Sequence, residues 1–413
     1  MAELSFLYLV LVLLVITRVF AELAERAHLP AIVGELVAGV ALGMLLRQFS
    51  DALPTLTAAT HGDAYELMVS LGMFFLMLLA GIRMEPLDFA QTSKSAIMIA
   101  LGGMIVPMAS GFGLGYAVLP DSSYKIAQCL FLGVALAITA VPVAMRIFLD
   151  LGMLKSRVGK TVIAAAVWDD LLSLFLLALL TAAIAQNGVG IFHPSTFLIL
   201  LGKVLFFFAV TIPFGLYVFP IVGRHLKYLK FPEVDFSMLL IASLAYAVFA
   251  ESMSLHFILG AFLAGIFFHP KVVDKDVYER VDQQMSGVTR GFLAPIFFVS
   301  IGLHLEFSAL GQVPGFVVLL ITIAILSKLI GCGLPAYWVG LSRQESMIVG
   351  VGMSGRGAVE LIVAGVALQA GLFTQPTPVP PIVDSLFSAV VVMALVTTLL
   401  TPVILHWLAK TGP

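Results

Sequence analysis

Apolar stretches of about 18 residues or more, the length an α-helix needs to cross about 30 Å of hydrocarbon, recur in this chain from its first residues to its last. They leave no interval long enough for a separate soluble domain. Hydrophobic residues make up 61% of the 413 and charged ones only 11%, with a mean hydropathy of +1.09. Soluble domains do not have that composition. The fold expected is an all-α polytopic membrane protein, a single transmembrane domain over residues 1–413. The opening stretch from Leu4 to Val19 has neither a basic leader nor a small-residue cleavage site, so it reads as a first span and not as a signal peptide. Cys129 and Cys332 both fall inside apolar stretches without metal-ligand spacing and read as packing residues. The many Met and Phe residues read as lipid-facing or packing surface, so no cofactor is expected. A formal net charge of −2 suggests no nucleic-acid partner.

Thirteen spans are expected, near 4–20, 29–46, 65–82, 95–118, 124–149, 158–186, 196–221, 235–252, 255–269, 287–304, 314–338, 345–371 and 385–409. The loop after span five carries Lys155, Arg157 and Lys160, that after span seven Arg224, Lys227 and Lys230, and that after span nine Lys271, Lys275 and Arg280. Loops after spans six, eight, ten and twelve hold no Lys or Arg. Basic loops stay cytoplasmic, which puts the N-terminus outside and the C-terminus inside. An odd number of spans follows.

Two short motifs recur at long offset. Gly34-Glu-Leu-Val-Ala-Gly39 resembles Gly260-Ala-Phe-Leu-Ala-Gly265, and Gly81-Ile-Arg-Met-Glu85 resembles Gly302-Leu-His-Leu-Glu306, at offsets of 226 and 221 residues. Both matches shift by seven spans, an odd number that inverts the second copy, so spans 1–6 are expected to mirror spans 8–13. Inverted repeats of this kind bring broken helices together near the midplane. Span five is interrupted by Thr139-Ala-Val-Pro142, and span twelve, its partner, by Ser354-Gly-Arg-Gly357. A proline removes one helix hydrogen bond and leaves a carbonyl without its donor.

Charged side chains deep in a bilayer cost about 2.5–3.5 kcal/mol each on insertion scales and are usually functional. Asp169 and Asp170 are adjacent midway along span six, Lys328 lies midway along span eleven, and Arg356 occupies the second break with Glu360 four residues on. Neighbouring helical residues point about 100° apart, so one aspartate can face an ion cavity while the other meets a lysine. Hard monovalent cations take oxygen ligands, and Asp170, Asp169 and Thr139 supply them. Burial moves carboxylate and lysine pKa values toward neutrality, where a proton and a metal cation compete for one site. Such competition is exchange. Lys203 reads as snorkelling to an interface, while Glu35, Glu251 and His256 are expected at the membrane interface, the alternative being that they line an ion funnel; His225 and His304 lie in or beside loops.

These residues resemble the monovalent cation:proton antiporter-2 family, which includes bacterial sodium/proton antiporters, Kef-type potassium systems and plant cation/proton exchangers. The telling segments are Ala166-Val-Trp-Asp-Asp-Leu171, Phe292-Leu-Ala-Pro-Ile-Phe-Phe298, Ser327-Lys-Leu-Ile-Gly331 and Val351-Gly-Met-Ser-Gly-Arg-Gly357. The resemblance implies a sodium/proton antiporter-like fold, a homodimer in the cell membrane, and a core domain of spans four to six and eleven to thirteen, roughly 95–186 and 314–409. That core would move like an elevator against a dimerisation domain. Asp170 is then similar to the family's cation and proton carrier, and Asp169 to the partner of Lys328. Paired aspartates with a lysine resemble the electrogenic branch, with Na⁺ as the leading substrate and K⁺ or Li⁺ as alternatives. Two positions depart from the pattern: Thr-Ser at the first break is here Thr139-Ala140, and the acidic residue after Arg356 comes at Glu360 and not two residues on. The second reading is a Kef-type potassium efflux system or an electroneutral potassium/proton exchanger without its regulatory domain. An enzyme is not expected, since the Tyr-Asp and Gly-x-Gly-Asp motifs of intramembrane aspartyl proteases are absent.

Overall fold

The computed structural model describes residues 2–27, 31–49, 53–60, 62–83, 94–139, 148, 153, 156–185, 194–221, 233–253, 255–269, 273–305 and 311–410. In chain order its helices are α1 (Ala2–Arg26), α2 (Ala31–Gln48), α3 (Pro54–Thr60), α4 (Asp63–Ile82), α5 (Lys94–Val118), α6 (Lys125–Ala137), α7 (Arg157–Ala185) and α8 (Pro194–Pro213). There follow α9 (Val234–Ser252), α10 (Phe257–Phe267), α11 (Lys275–Leu303), α12 (Pro314–Trp338), α13 (Arg343–Gly352), α14 (Ala358–Gln369), α15 (Pro381–Asp384) and α16 (Leu386–Lys410). Among the described residues there is no strand. Nine helices there are long and apolar enough to cross a membrane, and Lys125–Ala137, Phe257–Phe267 and Val359–Gln369 are shorter apolar ones.

Two stretches expected as loop are helical. α3 forms between the second and third spans and packs on α1. The span expected from residue 287 begins at Lys275 instead, because its first turns are amphipathic: Val281 and Met285 are buried four residues apart, while Asp276, Glu279 and Arg280 project outward or sideways. The polar side finds partners, Arg280 with Asp235 at 3.0 Å and Arg83 with Asp282 through two bonds of 2.8 and 3.1 Å. A loop reading based on charge count misses such a helix, since one apolar face in every turn is enough to hold it.

The chain divides into two compact units, Met1–Glu85 with Leu205–Leu305, and Pro86–Val204 with Glu306–Pro413. In the first, α2 packs on α1 and α11, and α10 packs on α4 and α9. Lipid tails are as apolar as leucine, so close helix contact rests on small residues that let backbones approach. A Cβ added to Gly39 would stand 2.8 Å from the Cα of Gly302, and one on Gly302 would stand 2.8 Å from the Cα of Gly39. Gly81 and Gly265 meet the same way, at 3.1 and 3.0 Å. Gly34 abuts Phe20 and Ala21, while Gly260 abuts Tyr246 and Ala247. The outward faces are apolar too: α1 buries Leu9, Leu13 and Ala21 and exposes Leu4, Leu7, Leu11 and Val15. In water that face would be a liability; in hydrocarbon it is the expected surface.

The second unit is built around α5 and α12. α5 packs on α6, α7 and α12, and α12 packs in turn on α13 and α16. Its apolar core joins Ile99, Val162, Ala166, Cys332, Val349 and Leu405, so both chain segments of the unit contribute to one interior. Cys332 is a buried free thiol within it.

The glycine contacts give a direct test. Gly302→Ala is expected to destabilise the protein by about 1–3 kcal/mol through overpacking, read as a lower thermal midpoint in detergent. Gly202→Ala, with nothing within 4 Å of the added carbon, should leave the midpoint unchanged or slightly raised.

Candidate ion site

The site lies in the second unit, where two helices stop short. α6 is buried along its length from Ala127 and ends at Ala137, with Ile138 turning to extended backbone at φ −67° and ψ 141°. The proline at 142 explains the stop locally, since it has no N–H to give the carbonyl of Ile138 four residues earlier. α13 ends at Gly352, and the chain runs through Met353–Gly357 before α14 resumes at Ala358. The break follows from Gly355 and Gly357 flanking Arg356, because glycine costs a helix interior about 1 kcal/mol relative to alanine.

An α-helix leaves its last carbonyls without intrahelical partners and carries partial negative charge at that end. At the end of α6 the partner is Arg356. Its Nη1 donates to the carbonyls of Ala135, at 2.7 Å, and of Ile138, while its Nη2 donates to Leu136 at 2.8 Å. Arginine suits this position because its rigid planar fork serves several acceptors at once. The backbone of Arg356 is held in turn by the hydroxyl of Thr398 on α16, which donates to its carbonyl at 3.1 Å.

Thr139 stitches the two breaks together. Its hydroxyl donates to the carbonyl of Met353 at 3.1 Å and accepts from Lys328 Nζ at 2.7 Å. Lys328 also reaches Asp169 Oδ2 at 3.4 Å. Lys328 is 0% exposed, Asp169 1% and Arg356 1%, so these charges have no water to fall back on and depend on one another. Gly103 on α5 leaves room for the sulfur of Cys332, with which a Cβ there would collide, while Lys328 Nζ would lie at an ordinary contact distance of 3.8 Å. Gly102 meets Gly331 across the same helix pair, closing α5 onto α12.

Of the residues singled out in the sequence, Thr139, Asp169, Lys328, Arg356 and Glu360 come together here. Glu360 is fully buried, with Oε2 at 3.7 Å from Arg356 Nε. Ser354 is buried, but its hydroxyl donates to the carbonyl of Gly350 at 2.9 Å and so completes the end of α13. Asp170 follows Asp169 on α7; its side chain, together with Ala140 and Pro142, lies outside the described residues, as does His225. Of the more peripheral candidates, Glu35, Glu251 and His304 sit in the first unit and Lys203 in the second. Glu35 is buried, 4.0 Å from Arg18, whose other donors reach the carbonyls of Arg290 and Gly291. The packing of Gly34 against α1 draws the adjacent carboxylate inward. Glu251 is exposed and accepts from the backbone N–H of Phe257 at 3.1 Å, bridging α9 to α10. His304 sets Nδ1 2.8 Å from the carbonyl of Ser300, and Lys203 is part-buried on α8.

Sequence reasoning missed Gly103, Thr398 and the carbonyls that Arg356 holds. Only the glycine left a readable signal, as half of a Gly-Gly pair in an otherwise bulky span. What the arrangement can do chemically is clear: buried carboxylates, a lysine and hydroxyl and carbonyl oxygens at a helix break can trade a small cation for protons.

Broken helices that meet around buried charge inside a polytopic bundle define a membrane transporter of the antiporter type. The chain belongs to the family described as sodium/hydrogen exchanger, transmembrane, whose model matches residues 9–411. It is 30% identical over 405 residues to the Na(+)/H(+)-K(+) antiporter GerN of Bacillus cereus, covering 98% of this chain and 96% of that one. It is 26% identical to a Na(+)/H(+) antiporter of Enterococcus hirae, with 98% of each chain covered. The cation/H(+) antiporter 17 of Arabidopsis thaliana is 28% identical over 97% of this chain and 48% of its own length. Among solved structures, the sodium proton antiporter MjNhaP1 of Methanocaldococcus jannaschii superposes with a TM-score of 0.72 over 100% of this chain and 99% of that one, at 19% identity. That likeness is one of fold.

The clamp on α6 predicts a stability effect. Arg356→Gln leaves three carbonyls and a buried carboxylate without their cation and is expected to lose about 3–5 kcal/mol. Arg356→Lys should recover only part of this, since an ammonium cannot span the three acceptors; thermal unfolding of the purified variants measures both.

Proposed function

We propose that this chain is a secondary active antiporter of the cell membrane that exchanges a monovalent cation, Na⁺ first and K⁺ second, for protons. Asp170 is the carrier that holds either a cation or a proton, Thr139 and Asp169 add oxygen ligands, and Lys328 pairs with Asp169 when the cation is absent. The observation that carries this reading is the fully buried trio of Lys328, Asp169 and Thr139 at the meeting of two helix breaks. A buried ion pair with no further task is weakly favourable at best; one poised beside a second aspartate has a use. The printed activities of the relatives agree with it: Na(+)/H(+)-K(+) exchange for the Bacillus cereus protein and Na(+)/H(+) exchange for that of Enterococcus hirae.

In this reading spans 1–6 and 8–13 are inverted repeats. The reciprocal packing of Gly39 on Gly302 and Gly265 on Gly81 supports it, since each motif of one half seats on the other motif of the second half. The second unit is the moving core of an elevator and the first unit the dimerisation domain, with the N-terminus outside and the C-terminus in the cytoplasm.

Two tests follow. Asp170→Asn is expected to abolish cation-dependent proton movement in proteoliposomes while the protein still purifies as a folded dimer; substantial retained exchange would refute the assignment of the carrier. For charge, release of a proton from Lys328 as the cation arrives gives two protons per cation. Each net charge moved then gains about 2.3 kcal/mol per 100 mV of membrane potential. Wild-type exchange should therefore respond to an imposed potassium-diffusion potential, and Lys328→Gln should be inactive or indifferent to voltage. Wild-type exchange that ignores the potential would make the transporter electroneutral.

A further inference from the structure

Glu360 is a buried carboxyl for which the exchange chemistry of Asp169, Asp170 and Lys328 has no task. It lies in the first turn of α14, is 0% exposed, and sits four positions after Arg356. Neither of its oxygens has a hydrogen-bond partner among the described residues, and neither does Arg356 Nε, although Nε and Oε2 are only 3.7 Å apart. A charge-assisted bond between them would close to about 2.7–2.9 Å. It stays open while both terminal nitrogens of Arg356 are engaged with the carbonyls of Ala135, Leu136 and Ile138. One guanidinium thus stands between two acceptor groups and serves one of them.

Which group it serves depends on the charge of Glu360. A neutral carboxyl makes little demand on a nearby guanidinium, whereas an ionised one buried without donors is costly. The cheapest remedy is to draw Arg356 toward it, at the expense of the α6 carbonyls. We propose that Glu360 is the proton-operated positioning residue of the exchange cycle. Protonated, it leaves Arg356 seated on the end of α6; ionised, it takes Arg356 to itself and uncovers the negative end of that helix for the incoming cation. The proposal rests on cation/proton exchange at the neighbouring aspartates and adds a second proton whose release accompanies cation binding.

The charged groups around Glu360 permit this. α14 packs against α6, α7 and α16. α6 has only Lys125 and Cys129, in its first turns, and α16 has His406 and Lys410 near its far end and threonines at 397, 398 and 401. α7 brings Asp169, to which Lys328 of α12 is already bonded. Arg356 is the cation in direct reach.

The test combines binding, kinetics and spectroscopy on the full chain. Glu360→Gln mimics the protonated state, so Arg356 should stay on α6. At alkaline pH the KM for Na⁺ should rise about tenfold, equivalent to about 1.4 kcal/mol. Protons released per Na⁺ bound, measured by calorimetry in buffers of different ionisation enthalpy, should fall by about one by linkage. A purely structural Glu360 would lower the melting temperature of the variant without moving either quantity, and that result overturns the proposal. A second measurement does not depend on the variant folding: wild-type protein carrying ¹³C-labelled glutamate should show a glutamic-acid C=O infrared band at low pH that disappears on Na⁺ addition. Glu35→Gln should keep that band. If the wild type has no such band, Glu360 does not exchange a proton. Asp170→Asn that still exchanges would instead refute the carrier assignment and leave the infrared result standing.

Discussion

The rest of the second unit depends on the grip of Arg356 on the unfinished end of α6. A helix that stops in the middle of a bundle leaves carbonyl oxygens pointing at hydrocarbon, and no water is there to take them. A guanidinium from the other broken helix meets that need with three bonds. The same contact fixes how the breaks cross, which places Thr139 against Met353 and leaves its oxygen facing Lys328. The candidate ion site is in this sense what remains after two helix ends have been satisfied.

Charge in this unit is arranged as two coupled pairs, Lys328 with Asp169 and Arg356 with Glu360, and both are almost wholly buried. Neither pair is tight: the distances are 3.4 and 3.7 Å, and in each the cation has better bonds elsewhere, to the hydroxyl of Thr139 or to α6 carbonyls. The bridge between Arg83 and Asp282 differs in both respects, being bidentate and partly exposed.

The first unit solves a different problem. Its helices meet through glycines whose added side chains would collide with the facing backbone, so contact there is backbone on backbone with little freedom to slide. Such packing suits a scaffold. The pair of buried Glu35 and exposed Arg18 lies within it and is linked to the π-helical turn Thr289–Leu293 through the carbonyls of Arg290 and Gly291.

The sequence by itself determined that this chain lives in a membrane, where two helices break, and which few charged residues lie in apolar spans. All of these are local or compositional properties: hydrophobic length, proline and glycine, and the high cost of a charge in hydrocarbon. Tertiary structure alone decided what each polar group touches. Nothing local says that Arg356 reaches residues more than two hundred positions earlier, that Ser354 closes its own helix while Thr139 bridges two, or that Gly103 leaves room for the sulfur of Cys332. Nor does a count of charges show that Lys275–Val288 is a helix with one buried face. Partner choice depends on distances between segments remote in the chain, and those are fixed only when the helices have packed.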